Sequence, residues 1–335
     1  MNVSTRVSGI LSPGVCLASG EYRIDRPLGQ GGFGITYQGI DTRLNRPVAV
    51  KEFFPEGCWR DGSTVVSAGR WNCDSYSNAK QKFLLEGQTL GQFDHPGIVR
   101  VFYYFEENNT AYMVMEYLRG KTLAQILDRR QGKLSEAEVL AYASQIGKAL
   151  ELLHSSQFLH RDIKPDNIML AEDGRIVLID FGAARDFTSD CTIRYSTMLT
   201  PGYAPLEQYG RALKYGAFTD IYAFGSTLYH LLTGVAPVSA IERAAGVDLK
   251  TVREINPQIS DRVSEAISKA MMMDISQRIQ SVREFLDLLQ VKSNLTSKEN
   301  ASIDFYSKAS DPWGVFSQGT VSSLPISSRN SKRWF

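Results

Sequence analysis

The chain has no excess of either charge. Its 335 residues carry 37 Lys and Arg against 36 Asp and Glu, a formal net charge of +1. Holding a nucleic-acid backbone takes a clear basic excess, so nucleic acid is not an expected partner. Long apolar runs are also missing, and none reaches the roughly 18 residues of a membrane span. Cysteine is scarce: Cys16, Cys58, Cys73 and Cys191 form no C-x-x-C pair. That excludes an evident zinc site or disulfide framework and fits reduced thiols in a cytoplasm. Residues 1–20 hold a short apolar patch without a strong basic stretch before it, and read as a flexible leader rather than a secretory signal. There are no internal repeats. Apolar residues, by contrast, make up 43% of the chain, enough for a sizeable core.

The order of patterns is uneven. Residues 21–117 read as short strands around one helix: "EYRIDRPLG", "GITYQGI" and "RPVAVKEFF" as strands, "SNAKQKFLLEGQTLGQF" as a helix, then "IVRVFYYFEE" and "TAYMVMEYL" as a hairpin turning at "NN". Residues 118–290 are helical in character. Ser135 with Glu138 three positions later is a capping box ahead of a long apolar stripe. A second helix through "DIYAFGSTLYHLLTG" stops at Gly234. Residues 291–335 are Ser-rich without a sustained period and read as a disordered tail. The expectation is an α+β chain with a β-rich lobe followed by an α-helical one.

Three stretches carry chemistry. "LGQGGFGITYQG" holds Gly29, Gly31 and Gly34 in the spacing G-x-G-x-x-G. No helix opens after it, which removes a dinucleotide fingerprint, and Ile35-Thr36 replaces the Lys-Ser/Thr of a Walker loop. A β-hairpin whose backbone lies close over phosphates remains, with Phe33 at its tip. Lys51 stands in a strand beside Ala49, Val50 and Phe53, where a charge needs a partner, and Glu86 on the following helix can supply one. "HRDIKPDNIML" sets Asp162, Lys164 and Asn167 in an irregular segment, with Asp180 ending an apolar strand beyond. Asp162 suits a base for a hydroxyl proton, Lys164 a point charge for a transferring phosphate, and Asn167 and Asp180 oxygen ligands for a hard cation.

In this order the stretches resemble the protein kinases, and more closely the bacterial Ser/Thr kinases of eukaryotic type, over about Tyr22 to Leu289. The resemblance implies a bilobal fold, with an N-lobe (21–117) carrying one regulatory helix and a helical C-lobe (118–290). It implies that Leu28, Gly29, Gln30, Gly31, Gly32, Phe33, Gly34, Thr36, Ala49, Lys51, Met115, Glu116 and Leu118 bind ATP, with Met115 as gatekeeper and Glu116 to Leu118 as the adenine-binding hinge. Asp162, Lys164, Lys51 and Glu86 would be catalytic, and Asn167 and Asp180 would hold Mg2+, with Mn2+ as a substitute. Glu207 would pair with Arg278, Asp220 would tie down the catalytic loop, and His160 would pack behind Phe181. The other histidines read as surface or packing residues. Lys164 and Thr200 resemble the Ser/Thr-specific members, with Thr200 bridging Asp162 and Lys164.

The implied activity is transfer of the γ-phosphate of ATP to a Ser or Thr of a protein in bacterial signalling, with autophosphorylation at Thr192, Ser196 or Thr197 facing Arg161. A homodimer would serve trans-autophosphorylation. The chain departs from the pattern at Thr36, at Leu206 in place of the Pro of A-P-E, and in a long connection at 52–77, which reads as a hairpin-like insertion against the regulatory helix. Two alternatives differ in class: a pseudokinase scaffold that binds nucleotide without transfer, and a small-molecule kinase, which lacks "TPGY" and the Glu207–Arg278 pair.

Overall fold

The structure is a computed structural model that describes residues 9–67, 69, 71–130, 132–181, 185–186, 199–210 and 215–291. Strands β1 (Cys16–Leu17), β2 (Tyr22–Gly31), β3 (Gly34–Asp41) and β4 (Arg46–Phe53) run antiparallel. A short hairpin follows, β5 (Trp59–Asp61) and β6 (Thr64–Val66), then helix α1 (Cys73–Leu90) and the hairpin β7 (Val101–Glu107) with β8 (Thr110–Glu116). The main sheet has the order β1-β2-β3-β4-β8-β7. β3 buries alternate residues, placing Ile35 and Tyr37 in the core with Val48, Val50 and Val114. The β7–β8 turn is the two-residue "NN", with Asn108 at φ 54° and Asn109 at φ 55°, the left-handed pair a tight hairpin requires. α1 begins four residues before the expected Ser77, because the Asn72 side chain accepts a hydrogen bond from the Ser75 amide at 2.7 Å and caps it.

The leader expectation is corrected for residues 9–20. Leu11 and Leu17 are buried, β1 pairs with β2, and the Ala18 amide donates to Glu107 at 2.7 Å. Apolar side chains hidden under the sheet hold this stretch in place, a role its low periodicity concealed. The insertion does form a hairpin, β5–β6. Val65 on β6 meets the β7–β8 turn: its amide donates to the Asn108 carbonyl at 2.8 Å, and Asn109 Nδ2 donates to its carbonyl at 2.9 Å.

The second lobe follows β8. β9 (Gly120–Thr122), α2 (Leu123–Arg130), α3 (Glu136–Ser155), β10 (Phe158–Leu159), β11 (Ile168–Ala171), β12 (Ile176–Leu178) and β13 (Arg185–Asp186) precede α4 (Ala217–Thr233). α5 (Ala240–Ala244), α6 (Val252–Ile255), α7 (Asp261–Ala270) and α8 (Val282–Leu288) complete it. The Ser135–Glu138 capping box starts α3, and Gly234 at φ 75° ends α4. The helices close on Ile146, Leu150, Leu228 and Phe224, the last edge-on to Phe285 at 5.3 Å. Small residues bring them close: a side chain begun at Gly147 would stand 2.6 Å from Leu286. Among the described residues no helix is long and apolar enough to cross a membrane.

Candidate active site

The glycine stretch is the turn of the β2–β3 hairpin, with Gly31 opposite Gly34 and Gly32 and Phe33 at the tip. Gly34 is there for packing: a Cβ would stand 2.3 Å from the Glu52 carbonyl oxygen on β4. Gly29 and Gly31 are different, because nothing lies within 4 Å of where a side chain would begin. That open strip is the room a backbone cradle for phosphates needs. Thr36 lies between Gly29 on β2 and Lys51 on β4, and Gln30 is opposite Ile35. Ala49 and Met115 face each other across β4 and β8 and are both buried, as is Leu118, whereas Leu28 is exposed.

Lys51 gathers the acids. Its Nζ lies 2.8 Å from Asp180 Oδ1 and 3.5 Å from Glu86 Oε1. Burial alone would pull the ammonium down, but the two carboxylates outweigh it and hold it above its ordinary value. Lys51 is therefore a fixed cation. Burial pushes Glu86 up, with Lys51 opposing only in part. The paired residues foreseen are Lys51 and Glu86; the shorter contact is to Asp180, whose side chain is 44% exposed against 10% for Glu86.

Asp162, Lys164, Asn167 and Thr200 form a second cluster. Lys164 Nζ lies 2.9 Å from Asp162 Oδ2 and donates to Thr200 Oγ1 at 2.8 Å. The Thr200 hydroxyl reaches Asp162 Oδ1 at 3.3 Å, so it bridges the two. Asn167 Nδ2 donates to the Asp162 carbonyl at 2.8 Å and to its Oδ2 at 2.7 Å. That fixes the amide and leaves its oxygen as the ligating atom. The Ile179 amide donates to the Asn167 carbonyl at 3.0 Å, which sets Asp180 beside Asn167. The donors are hard oxygens of the kind Mg2+ takes, and it would need phosphate oxygens and waters to complete its shell. Among the described residues no group of three or more His, Cys, Asp or Glu is placed to hold a metal ion without them. The residues thus fit a metal that arrives with a nucleotide.

The loop carrying Asp162 is held from below. Asp220 on α4 is fully buried and accepts from the amides of His160 at 2.9 Å and Arg161 at 2.8 Å, and from His154 Nε2 at 2.8 Å. Burial would raise this carboxyl, yet the His154 hydrogen bond and the other donors bring it below the usual range. Arg161 sits at φ 64°, a left-handed conformation in which its Cβ crowds the following carbonyl oxygen. The His160 ring lies 4.5 Å from Phe181, and burial lowers its pKa so that it stays neutral. Glu207 and Arg278 meet at 2.6 Å, both buried, despite Leu206 replacing the expected proline. Thr192, Ser196 and Thr197 lie outside the described residues.

Five participants escaped the sequence reading. His154 and His230 are not merely surface or packing residues: one holds Asp220, and the other lies 2.6 Å from the Tyr203 hydroxyl through Nδ1. Arg175 in the β11–β12 turn donates to Glu116 at 2.8 Å, linking the end of β8 to the second lobe. Glu52 and Arg60 form a buried pair at 2.6 Å. Strand alternation signalled that Glu52 and Lys51 face opposite ways, but nothing local names partners that only the fold brings together.

Known proteins carry the same frame. The family described as the protein kinase domain matches residues 22–291. Serine/threonine-protein kinase B of Synechocystis sp. is 32% identical over 286 residues, covering 82% of this chain and 47% of its own length. Serine/threonine-protein kinase PknA of Mycobacterium tuberculosis is 31% identical over 281 residues, covering 80% and 60%. The chain thus spans about half the length of the curated relatives it matches. A solved structure described as the apo form of PpkA-294 is 30% identical, with a TM-score of 0.74 over 84% of this chain and all of that one.

Proposed function

The chain belongs to the protein kinase family, and on that premise we propose that it transfers the γ-phosphoryl group of ATP to a Ser or Thr hydroxyl of a protein. The observation that carries the reading is the Asp162–Lys164–Thr200 cluster, with Asp180 on the same loop side joined to Lys51 of the other lobe. Asp162 orients the acceptor hydroxyl and takes its proton as the oxygen bonds to phosphorus and the β–γ bridging bond breaks. Lys164 faces the charge that develops on the moving group, and Lys51 faces the phosphates that stay behind. Mg2+, when bound through Asn167 and Asp180, neutralises phosphate charge. Thr200 marks the acceptor side of Asp162, which supports a Ser or Thr acceptor.

Autophosphorylation at Thr192, Ser196 or Thr197, in trans within a transient homodimer and in the cytoplasm, belongs to the same reading. The test is incubation of the purified chain with labelled ATP, Mg2+ and a generic basic protein, beside Asp162→Asn. The variant is expected to bind nucleotide and lose about 10²–10³ in rate, the usual worth of one such group. Near-normal transfer by Asp162→Asn would remove Asp162 from its role.

A further inference from the structure

Three pieces of chain that the transfer reaction does not touch meet behind the phosphate side of the site. Glu52 follows Lys51 on β4, and its side chain is fully buried. Its Oε2 accepts from the Tyr37 hydroxyl at 2.8 Å and from Arg60 at 2.6 Å, and its Oε1 from the Tyr112 hydroxyl at 2.8 Å. Burial and then the Glu52 charge raise both phenols, which therefore stay protonated donors. Arg60 belongs to the β5–β6 hairpin. It donates to the Gly9 carbonyl through Nε at 3.0 Å and Nη2 at 2.8 Å, and to the Ser63 carbonyl at 2.8 Å. The Leu11 amide donates to Tyr37 at 3.1 Å. The Arg60 guanidinium also lies 5.0 Å over the Phe54 ring, and Gly9 is packed so closely on that ring that a Cβ would come within 2.5 Å of it.

The stretch that leaves β4 under Arg60 is the one that grips the glycine hairpin. The Phe54 amide donates to the Phe33 carbonyl at 3.0 Å, and the Glu56 amide to the Gly32 carbonyl at 2.9 Å. Trp71 Nε1 in turn donates to the Glu56 carbonyl at 2.9 Å. The tip of the hairpin is thus hydrogen-bonded to the start of the insertion, and the insertion is pinned by Arg60.

We propose that Arg60 is a positioning residue for phosphate binding. Clasped between Glu52 and the Gly9 carbonyl, it fixes the segment from Phe54 to Glu56, which holds Gly32 and Phe33 where the hairpin covers the nucleotide phosphates. The inference rests on the site being a nucleoside-triphosphate site. A glycine-rich tip without this brace samples positions away from the phosphates, and affinity falls by the fraction of time it is out of place. Adenosine has no phosphates to cover, so its binding is insensitive to the brace.

The test measures calorimetric binding of a non-hydrolysable ATP analogue with Mg2+, and of adenosine alone, to the full chain. Arg60→Met leaves the Glu52 charge buried with only hydroxyl partners and is expected to fold poorly; the double variant Glu52→Gln with Arg60→Met removes the charge as well and keeps the fold measurable. In the double variant the analogue is expected to bind about tenfold more weakly, with adenosine within about twofold of the parent, if the tip is in place about a tenth of the time. In the unsubstituted chain, the amides of Phe54 and Glu56 are expected to exchange hydrogen as slowly as those of β4. Parent-like binding of both ligands by a folded double variant overturns the brace alone, as does free exchange at those two amides. A parent chain that binds adenosine but not the analogue overturns the triphosphate reading itself, and the brace with it.

Discussion

Replacing Asp220 by Asn tests how the loop carrying Asp162 is held. The carboxylate accepts three hydrogen bonds, from His160, Arg161 and His154, at 2.8–2.9 Å. Asn keeps one acceptor oxygen and turns an NH2 group toward one of these donors. Hydrogen bonds to a charged group contribute about 1.5–3 kcal/mol each, so losing one and misaligning another costs roughly 2–4 kcal/mol. Part of that energy holds Arg161 at φ 64°, a conformation worth about 1–2 kcal/mol of strain. With the restraint weakened, Arg161 relaxes and carries its neighbour Asp162 out of line. A displacement near 1 Å at a reacting group costs about 10² in rate. The expected result is a kcat lower by about 10², a KM for ATP little changed because Lys51 and the glycine hairpin lie in the other lobe, and a lower urea midpoint. Steady-state kinetics and urea unfolding on the same preparation decide it. Wild-type kcat together with a wild-type midpoint would refute the reasoning.

Other consequences are equally direct. Lys51→Met and Glu86→Gln remove parts of one unit, so the double variant should lose little more kcat/KM than either single one; additive losses in a double-mutant cycle would separate the two residues. Arg278→Met strands the buried Glu207 carboxylate and should cost about 3–5 kcal/mol, which Glu207→Leu in the same chain largely restores; calorimetric melting reads both. His160 and His230 are held below the ordinary histidine value by burial, so the unfolded chain binds more protons than the folded one once the pH drops below about 6.5. Stability should therefore fall on acidification through that point, by up to about 1.4 kcal/mol per pH unit for each histidine, and His230→Gln should flatten the fall seen in melting curves at pH 7.5, 6.5 and 5.5.

The residues proposed to act on substrate were legible because their chemistry is local. Asp162, Lys164 and Asn167 fall within six residues, and their spacing on an irregular segment already limits what they can do. The β7–β8 hairpin and the α3 capping box were legible for the same reason, since a turn or a cap is settled by two to four neighbouring residues. What stayed hidden depends on sequence separation. His154 finds Asp220 across 66 positions, and Arg175 finds Glu116 across 59. Leu11 and Leu17 belong to no periodic stretch, so their burial is visible only once a sheet exists to cover them.

The border that the family shares and the border that this molecule enforces are different lines. The shared domain opens at residue 22, yet a chain trimmed to begin there would lose two side chains from beneath its sheet. At about 1.5–3 kcal/mol for each buried leucine, that loss alone rivals a large part of a typical domain's margin of stability. It would also take away the carbonyl of Gly9, on which Arg60 closes twice. Kinship delimits what many chains have in common, whereas cooperative unfolding respects only what a single chain buries. A piece of this protein that keeps both buried leucines and the Arg60 clasp begins at least as early as Gly9.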